Sequence, residues 1–259
     1  MQLQMWEEMG PIQMRSLMEA LSDLNYQHLK IIRLWKVDLQ DEGLRSICQF
    51  ADKTGTVTYL DLMDNKITPL GCTFLAKILN RHKPTITKLK LDNNPIGDEG
   101  LAKLTVGLRQ NSTIEKLSFN FCGITQEGVR YIQEILANID CRLRTLKLMG
   151  NKLGNEGVCE VLRAVNSCGD RLEKLNIADT GMNILGYKED MGDSIEEKIE
   201  KELLEIVKKN TSIAKYNLRN NWIPDVVARK ILAELRENKN VFLFELPDTI
   251  SHPLVELHA

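Results

Sequence analysis

The chain has 259 residues, of which 34 are Lys or Arg and 36 are Asp or Glu, so its formal net charge is −2. This balance excludes a generally basic nucleic-acid coat protein and an acidic disordered tail. The content of 43% hydrophobic and 27% charged residues is typical of a soluble globular chain. Because only 5% of the residues are aromatic, we expect a core built mainly from aliphatic side chains.

The N-terminal sequence MQLQMWEEMG lacks the basic region of a secretory signal, and Glu7 and Glu8 interrupt its apolar residues. No run of 18 apolar residues occurs anywhere in the chain, so we expect no membrane-spanning helix and no membrane partner. These two features predict a cytoplasmic protein.

Six cysteines are spread along the chain without a C-x-x-C spacing, and the four histidines do not lie near them in sequence. Because a zinc site needs clustered ligands, we expect no metal site. Without a secretory signal, reduced thiols are favoured over disulfides. The cysteines are Cys48, Cys72, Cys122, Cys141, Cys159 and Cys168.

The dominant feature of the sequence is an internal repeat of the pattern apolar-x-x-apolar-x-apolar. Eight segments match this pattern, at residues 29–34, 57–62, 86–91, 114–119, 143–148, 172–177, 213–218 and 241–246. Their successive spacings are 28, 29, 28, 29, 29, 41 and 28 residues. Short alternating apolar segments predict β-strands, and a fixed period of this length is typical of a repeat architecture.

Other positions repeat in step with these strands. Three residues after the last apolar strand position stand Val37, Asn65, Asn94, Cys122, Asn151, Thr180 and Asn221. Six residues further on stand Gly43, Gly71, Gly100, Gly128, Gly157 and Gly186, with Val227 as the one departure. After each glycine the apolar period changes from 2 to about 3.6, so each unit is predicted to be a strand, a turn and a helix.

These features resemble the leucine-rich repeat family, with its motif L-x-x-L-x-L-x-x-N/C-x-L, over about residues 12–246. The unit length and full helix are similar to its ribonuclease-inhibitor subclass. The resemblance implies an α/β solenoid, a horseshoe arc with a parallel sheet on its concave face and α-helices on its convex face. It also implies a structural ladder that pairs the backbone groups of the turns, formed by Asn65, Asn94, Cys122, Asn151, Thr180 and Asn221.

The ends of the chain are expected to differ from the array. Residues 1–28 are expected to be a helical cap or a partial repeat, because residues 12–28 look like the helical half of a unit whose strand is missing. Either a true cap or a cut from a longer array would explain this segment. Residues 29–246 form the array of about eight units. Residues 247–259 are expected to be a C-terminal cap or tail, because prolines cannot continue a ladder or a helix.

One spacing exceeds the others by 12 residues. Because Gly186 keeps the period, the insertion falls near residues 187–198. Ser194 followed by Glu197 is a capping box, and residues 195–209 are then predicted to form one helix. The insertion is interpreted either as a tolerated surface loop or as a partner-binding or regulatory element.

The intervening strand positions are expected to point outward onto the concave face, where they form three columns. These 24 positions carry eight basic and three acidic residues, a surplus of five, so the rest of the chain carries −7. The basic residues are Arg33, Lys88, Lys90, Lys116, Lys147, Lys174, Lys215 and Arg219. This pattern predicts a concave face that binds an acidic protein surface. A second interpretation is that the lysines only keep an exposed sheet soluble.

Three large side chains, Trp35, Tyr59 and Met63, fall at the N-terminal end of the same face. Aromatic residues of this kind are enriched in the binding hot spots of protein interfaces, so we expect them to anchor a protein partner. A nucleic-acid partner is disfavoured, because no aromatic residues interleave with the basic column.

Motifs for catalysis are absent from the sequence. It contains no G-x-x-x-x-G-K-[ST] loop, no G-x-G-x-x-G turn, no G-x-S-x-G and no histidine in the three columns to activate a nucleophile. The D-E-G segments at Asp41 and Asp98 fall at predicted helix N-termini, where acidic side chains face the positive end of the helix dipole. We therefore interpret them as structural, and expect no enzymatic activity, no cofactor and no small-molecule substrate.

The leading hypothesis is a non-enzymatic scaffold for protein–protein interaction. The resemblance implies two alternatives. Similar short arrays cap actin filaments or occur in ciliary axonemes, where acidic tubulin would suit a basic face and the protein would be cytoskeleton-associated. The other alternative is a GTPase activator resembling the Ran GTPase activators, although those carry an acidic tail. Ribonuclease inhibition is disfavoured, because the inner face of those inhibitors attracts basic enzymes. The oligomeric state stays open.

Overall fold

The computed structural model describes residues 1–188, 193–209, 212–241 and 243–247. Within these ranges nine parallel strands form one sheet, in which each strand pairs with its neighbours in sequence order. The strands are β1 (Gln2–Met5), β2 (Ile31–Leu34), β3 (Tyr59–Asp61), β4 (Lys88–Lys90), β5 (Lys116–Ser118), β6 (Thr145–Lys147), β7 (Lys174–Asn176), β8 (Lys215–Asn217) and β9 (Leu243–Glu245).

A helix follows each strand from β1 to β8. The helices are α1 (Gly10–Asp23), α2 (Gln40–Thr54), α3 (Pro69–Leu79), α4 (Gly97–Leu108), α5 (Val129–Ala137), α6 (Gly154–Ser167), α7 (Ile195–Lys209) and α8 (Asp225–Glu237). A single 3₁₀ turn, Gln126–Gly128, precedes α5. The alternation of short parallel strands with helices confirms the predicted α/β solenoid.

The core is a continuous stack of aliphatic side chains between the sheet and the helices. The central strand position of the units is almost completely buried, with exposures of 2% or less, at Ile32, Leu60, Leu89, Leu117, Leu146, Leu175 and Tyr216. Burying one leucine or isoleucine side chain stabilises a fold by about 1.5–3 kcal/mol. Since each unit lays its column against the next, stability is distributed along the array rather than concentrated in one centre.

The first unit contains a strand, so the expectation that residues 12–28 lack one is wrong. β1 pairs in parallel with β2 over its whole length. Leu3 and Met5 pack against the core at two of the three apolar positions of the pattern. Glu8 stands where later units carry a small polar side chain. The strand therefore lacked both the first apolar position and the ladder residue that identify the other units.

Small buried polar side chains hold the turns between strand and helix. The Oδ1 atom of Asn65 accepts hydrogen bonds from the backbone N–H groups of Val37 (3.1 Å) and Leu39 (3.3 Å). Its Nδ2 atom donates to the carbonyls of Leu34 (2.8 Å) and Met63 (3.0 Å). Each such side chain thus satisfies backbone groups of two successive units. The same arrangement recurs at Asn94, Asn151 and Asn221.

Cys122 occupies a ladder position without replacing all of the asparagine bonds. Its thiol lies 3.2 Å from the carbonyl of Leu91, in place of an amide donor. The N–H of Ile96 donates instead to the backbone carbonyl of Asn94 (2.8 Å). Thr180 is similar, because its hydroxyl contacts a backbone carbonyl of its own unit. The turns before these two residues are closed by backbone contacts rather than by a side-chain acceptor.

The helices of alternate units begin with different caps. Asp41, in the first turn of α2, accepts hydrogen bonds from the N–H groups of Thr68 (2.9 Å) and Gly71 (3.0 Å) and from the Thr68 hydroxyl (2.6 Å). It therefore caps α3 from the preceding unit. The prediction that the D-E-G segments lie at helix N-termini is confirmed for Asp41 and Asp98. The sequence did not indicate that these aspartates bind the neighbouring helix.

This cap recurs every two units. Asp98, 57 residues after Asp41, accepts from the N–H (2.8 Å) and the hydroxyl (2.6 Å) of Thr125. Asn155, a further 57 residues on, accepts from the N–H of Asn183 (2.7 Å) and donates to its carbonyl (2.8 Å). The structural period of the convex side is therefore a pair of units.

The inserted segment is followed by the helix expected from the capping box. α7 spans the predicted residues 195–209, and the Oγ atom of Ser194 accepts a hydrogen bond from the N–H of Glu197 (3.2 Å). Residues 189–192 of the insertion lie outside the described residues. The apolar face of α7 is buried against the array.

A polar contact fixes the stem of the insertion to the last two helices. The ammonium of Lys230 on α8 lies 2.7 Å from a carboxylate oxygen of Glu200 on α7, and it donates to the Tyr187 hydroxyl at 3.0 Å. Glu200 is only 6% exposed. The chain before the insertion is therefore tied to both helices that follow it.

All six cysteines are buried and free. No helix in the described ranges is long and apolar enough to span a membrane. The same residues include no group of His, Cys, Asp and Glu side chains arranged to hold a metal ion. Of the predicted C-terminal cap or tail, residues 247–259, only Pro247 belongs to the described residues.

Candidate protein-binding face

The strand register brings the predicted basic residues together on the concave face. Along the first column, Lys88, Lys116, Thr145, Lys174 and Lys215 are consecutive register partners on β4 to β8. Neighbouring strands are about 4.8 Å apart, so the column forms a row across the sheet. Over these strands lies an open cavity of about 530 Å³. Its basic lining residues are Lys88, Lys116, Arg144, Lys147, Lys174 and Lys215.

Two of the eight predicted basic residues are held by carboxylates of the same face. Lys90 lies 2.6 Å from Asp61, and Arg219 lies 3.5 Å from Glu245. Asp61 also accepts a hydrogen bond from the Tyr59 hydroxyl at 2.9 Å. These acidic groups are therefore committed to contacts within the chain.

Four lysines in the middle of the face have no such partner. Among the described residues, no carboxylate lies within ion-pairing distance of Lys88, Lys116, Lys147 or Lys174. The pKa of Lys116 is lowered by desolvation, and then by the positive charges of Lys147, Lys90 and Lys174, against the opposing effect of Asp61. The centre of the face is therefore a region of uncompensated positive charge.

The expectation that every intervening strand position faces solvent is wrong for part of the face. Ser118 and the backbone N–H of Asn120 donate to the carboxylate of Asp92, at 2.7 and 2.8 Å. This network buries one of the three acidic residues counted on the face, so the exposed surface is more basic than the sequence count. The buried positions of the three columns are Asp92, Ser118, Asn120, Thr145, Ala178 and Pro247.

A fourth column lines the cavity and was missed by sequence reasoning. It includes Glu115, Arg144 and Glu173, each directly before a first-column residue. Arg144 and Glu173 form an ion pair across β6 and β7. The motif L-x-x-L has two positions between its first apolar residues, and only the second was counted as facing outward. The signal for the fourth column was therefore present in the motif.

The N-terminal end of the face carries two exposed tryptophans. Trp35 is 55% exposed, and its N–H donates to the carbonyl of Met5 at 3.1 Å, which places Trp6 on the adjoining strand beside it. Trp6 is 65% exposed. Sequence reasoning missed Trp6 because it did not recognise β1. Met63, on the other side of Trp35, is half-buried.

Tyr59 is more constrained than the tryptophans. The guanidinium of Arg33 lies 5.2 Å from the centre of its ring, and the ammonium of Lys90 lies at 5.9 Å. Together with the hydroxyl bond to Asp61, these contacts fix the ring within the face. Tyr59 therefore presents a positioned edge of the cavity, whereas Trp6 and Trp35 present free apolar surface.

Comparison with known proteins places this geometry in a family. The model of the Leucine Rich repeat family matches residues 56–76, 82–104, 110–132 and 141–158. The chain is 28% identical to the ribonuclease inhibitor of Mus musculus over 155 residues, which are 59% of this chain and 34% of that protein. It is 26% identical to the ribonuclease inhibitor of Sus scrofa over 211 residues, 81% of this chain and 43% of that protein.

Other similarities agree with this placement. NACHT, LRR and PYD domains-containing protein 13 of Homo sapiens is 29% identical over 158 residues, 60% of this chain and 15% of that protein. The chain thus spans less than half the length of these curated relatives. The tropomodulin C-terminal domain of Caenorhabditis elegans shares the fold, with a TM-score of 0.51 at 14% identity over 64% of this chain and 92% of that one.

The chain is a leucine-rich repeat protein. Within that family its units are those of the ribonuclease-inhibitor-like subclass, in agreement with the alternating 28- and 29-residue spacing and the full helix in each unit.

Proposed function

We propose that this protein is a non-enzymatic interaction scaffold, and that its basic concave face binds an acidic segment of a protein partner. The observation that carries the proposal is the group of lysines at the centre of the face, Lys88, Lys116, Lys147 and Lys174, which have no carboxylate partner among the described residues. Their mutual repulsion is a standing cost that a negatively charged partner removes. The name ribonuclease inhibitor, carried by two relatives, is that of a protein that acts on another protein.

The proposal has an electrostatic and an apolar component. Exposed like charges attract an oppositely charged partner over distances of about 10 Å, so they accelerate association and make it sensitive to salt. The exposed rings of Trp6 and Trp35 supply apolar contact area at one end of the face. An acidic segment with an apolar residue at one end fits this arrangement.

The proposal includes no catalysis, cofactor or small-molecule substrate. In the described part of the chain, the two histidines, His28 and His82, lie outside the cavity, and every cysteine is buried. Burial raises the pKa of Cys122, which lies closest to the sheet turns, so it remains a thiol at neutral pH. Nothing around the cavity supplies an activated nucleophile.

The test uses synthetic 15-residue peptides that carry zero, three or six glutamates, each glutamate being exchanged for glutamine in matched controls. Binding is measured by fluorescence anisotropy at low and high salt. The triple variant Lys88→Glu, Lys116→Glu, Lys174→Glu is compared with Lys77→Glu, Lys83→Glu, Lys201→Glu, which makes the same change in net charge away from the concave face. We expect the first to lose about tenfold or more in affinity, and the second to change little.

An equal effect of both triple variants would show that only net charge matters, and would contradict a concave binding site. Affinity that is independent of glutamate content would also overturn the proposal.

Two alternative functions are tested with the same proteins. A cytoskeletal component would sediment with actin filaments or microtubules, and this binding would be lost in the concave triple variant if it uses the same face. A GTPase activator would accelerate GTP hydrolysis by a small GTPase at substoichiometric amounts. Either result would replace the scaffold proposal by the corresponding function.

A further inference from the structure

One point of the concave face concentrates the uncompensated charge. Thr145 on β6 is the register partner of Lys116 on β5 and of Lys174 on β7. Lys147 lies two residues further along β6, on the same side of the sheet. Adjacent strands are about 4.8 Å apart and alternate residues about 6.6 Å apart, so three lysines surround one threonine within roughly 10 Å.

Thr145 differs from the other residues of its column. The neighbouring strands carry Lys88, Lys116, Lys174 and Lys215 at this position, whereas Thr145 is short and only 8% exposed. Its hydroxyl forms no hydrogen bond to any residue that the structure describes. The short side chain leaves a depression between longer lysines, and the hydroxyl supplies a donor at its floor.

The acidic groups around this point do not neutralise it. Glu173 is paired with Arg144, and Asp61 is paired with Lys90. Glu115 lines the same cavity and is the acidic group next to Lys116 in sequence. Even with Glu115 counted, three lysines against one carboxylate leave two positive charges around Thr145.

We propose that Lys116, Lys147 and Lys174, together with the Thr145 hydroxyl, bind the phosphate of a phosphorylated serine or threonine within the acidic segment of the protein partner. This inference rests on the proposed function of the concave face. A phosphorylated side chain carries a charge of about −1.5 to −2 and three strong acceptor oxygens. It therefore matches the excess charge and the separate donors, whereas a carboxylate offers one charge and two oxygens.

A single phosphorylated residue suits this site better than a nucleic-acid strand. A strand needs a continuous basic track with aromatic rings on which its bases stack. Here the row of lysines is flanked by Glu115, Glu173 and Glu245, and the exposed tryptophans lie at the far N-terminal end of the sheet. The surroundings would repel a second and third phosphate of a polymer.

The test uses three versions of one acidic 15-residue peptide, with serine, phosphoserine or glutamate at the central position. We expect the phosphoserine peptide to bind about tenfold more tightly than the serine peptide, and the glutamate peptide to bind within about threefold of the serine peptide. In Lys147→Gln and in Thr145→Val, the preference for phosphoserine should fall below about threefold.

Lys88→Gln is the matched control, because it removes one charge from the same column outside the depression. It should weaken all three peptides by a similar factor and preserve the preference for phosphoserine. Circular dichroism and thermal unfolding verify that each variant is folded.

A second measurement does not depend on peptide affinity. The protein is labelled with ¹³C at the lysine side chains and titrated with inorganic phosphate, with the lysine signals followed by NMR. A bound dianion stabilises the charged ammonium, so the pKa of Lys116, which its surroundings lower in the free protein, should rise. The signals of Lys147 and Lys174 should shift over the same concentration range, and that of Lys88 less.

The outcomes separate the two proposals. Acidic peptides that bind at the concave face without a preference for phosphoserine overturn the phosphate site and leave the scaffold proposal intact. Phosphate shifts without binding of any acidic peptide overturn both the scaffold and the phosphorylated partner, and leave a small-anion site. A single-stranded DNA oligonucleotide that binds more tightly than the phosphoserine peptide, with the same dependence on Lys147, also overturns the inference.

Discussion

The carboxylate of Asp41 occupies the space that a side chain on residue 71 would need. Its Oδ1 atom accepts the hydrogen bond from the N–H of Gly71 at 3.0 Å, and a β-carbon on that residue would collide with the same oxygen. Gly128 has the same relationship to Asp98. These glycines are therefore required by a carboxylate of the preceding unit. Gly43 is different, because its β-carbon would meet the Leu39 side chain.

Replacing Gly71 by alanine should destabilise the protein by about 1–3 kcal/mol, because the new methyl group must displace the Asp41 carboxylate from its hydrogen bonds. Gly186→Ala is the control, since no described atom lies within 4 Å of the position of its β-carbon. Urea unfolding measures both. A loss of stability at residue 186 as large as that at residue 71 would contradict the role of the carboxylate.

The coupling between Asp41 and Gly71 can be measured by a double-mutant cycle. Asp41→Ala removes three hydrogen bonds to the start of α3, and should cost about 1–3 kcal/mol. In the double variant, Gly71→Ala no longer meets a carboxylate, so the combined loss should fall short of the sum by about 1 kcal/mol or more. Additive losses would mean that the two residues act independently.

Tyr216 places a hydroxyl where the other units have a leucine or an isoleucine. It is 2% exposed, and among the described residues its hydroxyl has no hydrogen-bond partner. Burial also raises the pKa of this phenol. Tyr216→Phe should therefore leave stability unchanged or raise it by about 1 kcal/mol.

The matched control for that change is Tyr59→Phe. It removes the hydroxyl that donates to Asp61 at 2.9 Å, and should lower stability slightly. Thermal unfolding compares the two variants. A clear destabilisation by Tyr216→Phe would reveal a partner for the buried hydroxyl.

The buried thiols predict a loss of stability in alkaline solution. Burial raises the pKa values of Cys48 and Cys72, and raises that of Cys122 to about 12. In the unfolded chain a cysteine ionises near pH 8.5. Above that pH the unfolded state releases protons that the native state retains, so the free energy of unfolding should fall by up to about 1.4 kcal/mol per pH unit for each thiol.

The measurement is urea unfolding between pH 7.5 and pH 10. In the variant Cys48→Ala, Cys72→Ala, Cys122→Ala, the free energy of unfolding should be lower at pH 7.5, because small cavities form, and should then decline less steeply with pH. A slope that is the same in the parent and the variant would assign the alkaline loss to other groups.

The array could be predicted from the sequence because one unit cannot bury its own leucines, so the same apolar positions recur in every unit. The strand β1 was missed because Leu3 and Met5 are only two of the three positions, and Glu8 replaces the ladder residue. The caps on alternate helices were missed for another reason. The contact between Asp41 and Thr68 joins residues 27 apart, and each residue also has an ordinary local role at a helix N-terminus.

The basic character of the concave face could be predicted, because strand alternation assigns each residue to one side of the sheet. The pairing of its charges could not. Whether Lys90 meets Asp61 while Lys116 meets no carboxylate depends on which side chains stand opposite each other on neighbouring strands. The burial of Asp92 likewise depends on two donors supplied by the next unit.

The 57-residue recurrence of the caps at Asp41, Asp98 and Asn155 sets the length by which this protein can be shortened or extended. Removal of a single unit would place two like helix starts side by side, so that a carboxylate would have no threonine to cap or a threonine no carboxylate. Removal or duplication of two consecutive units keeps every junction matched. Two neighbouring units, although each contains a complete strand and helix, are the smallest segment that can be exchanged as a module.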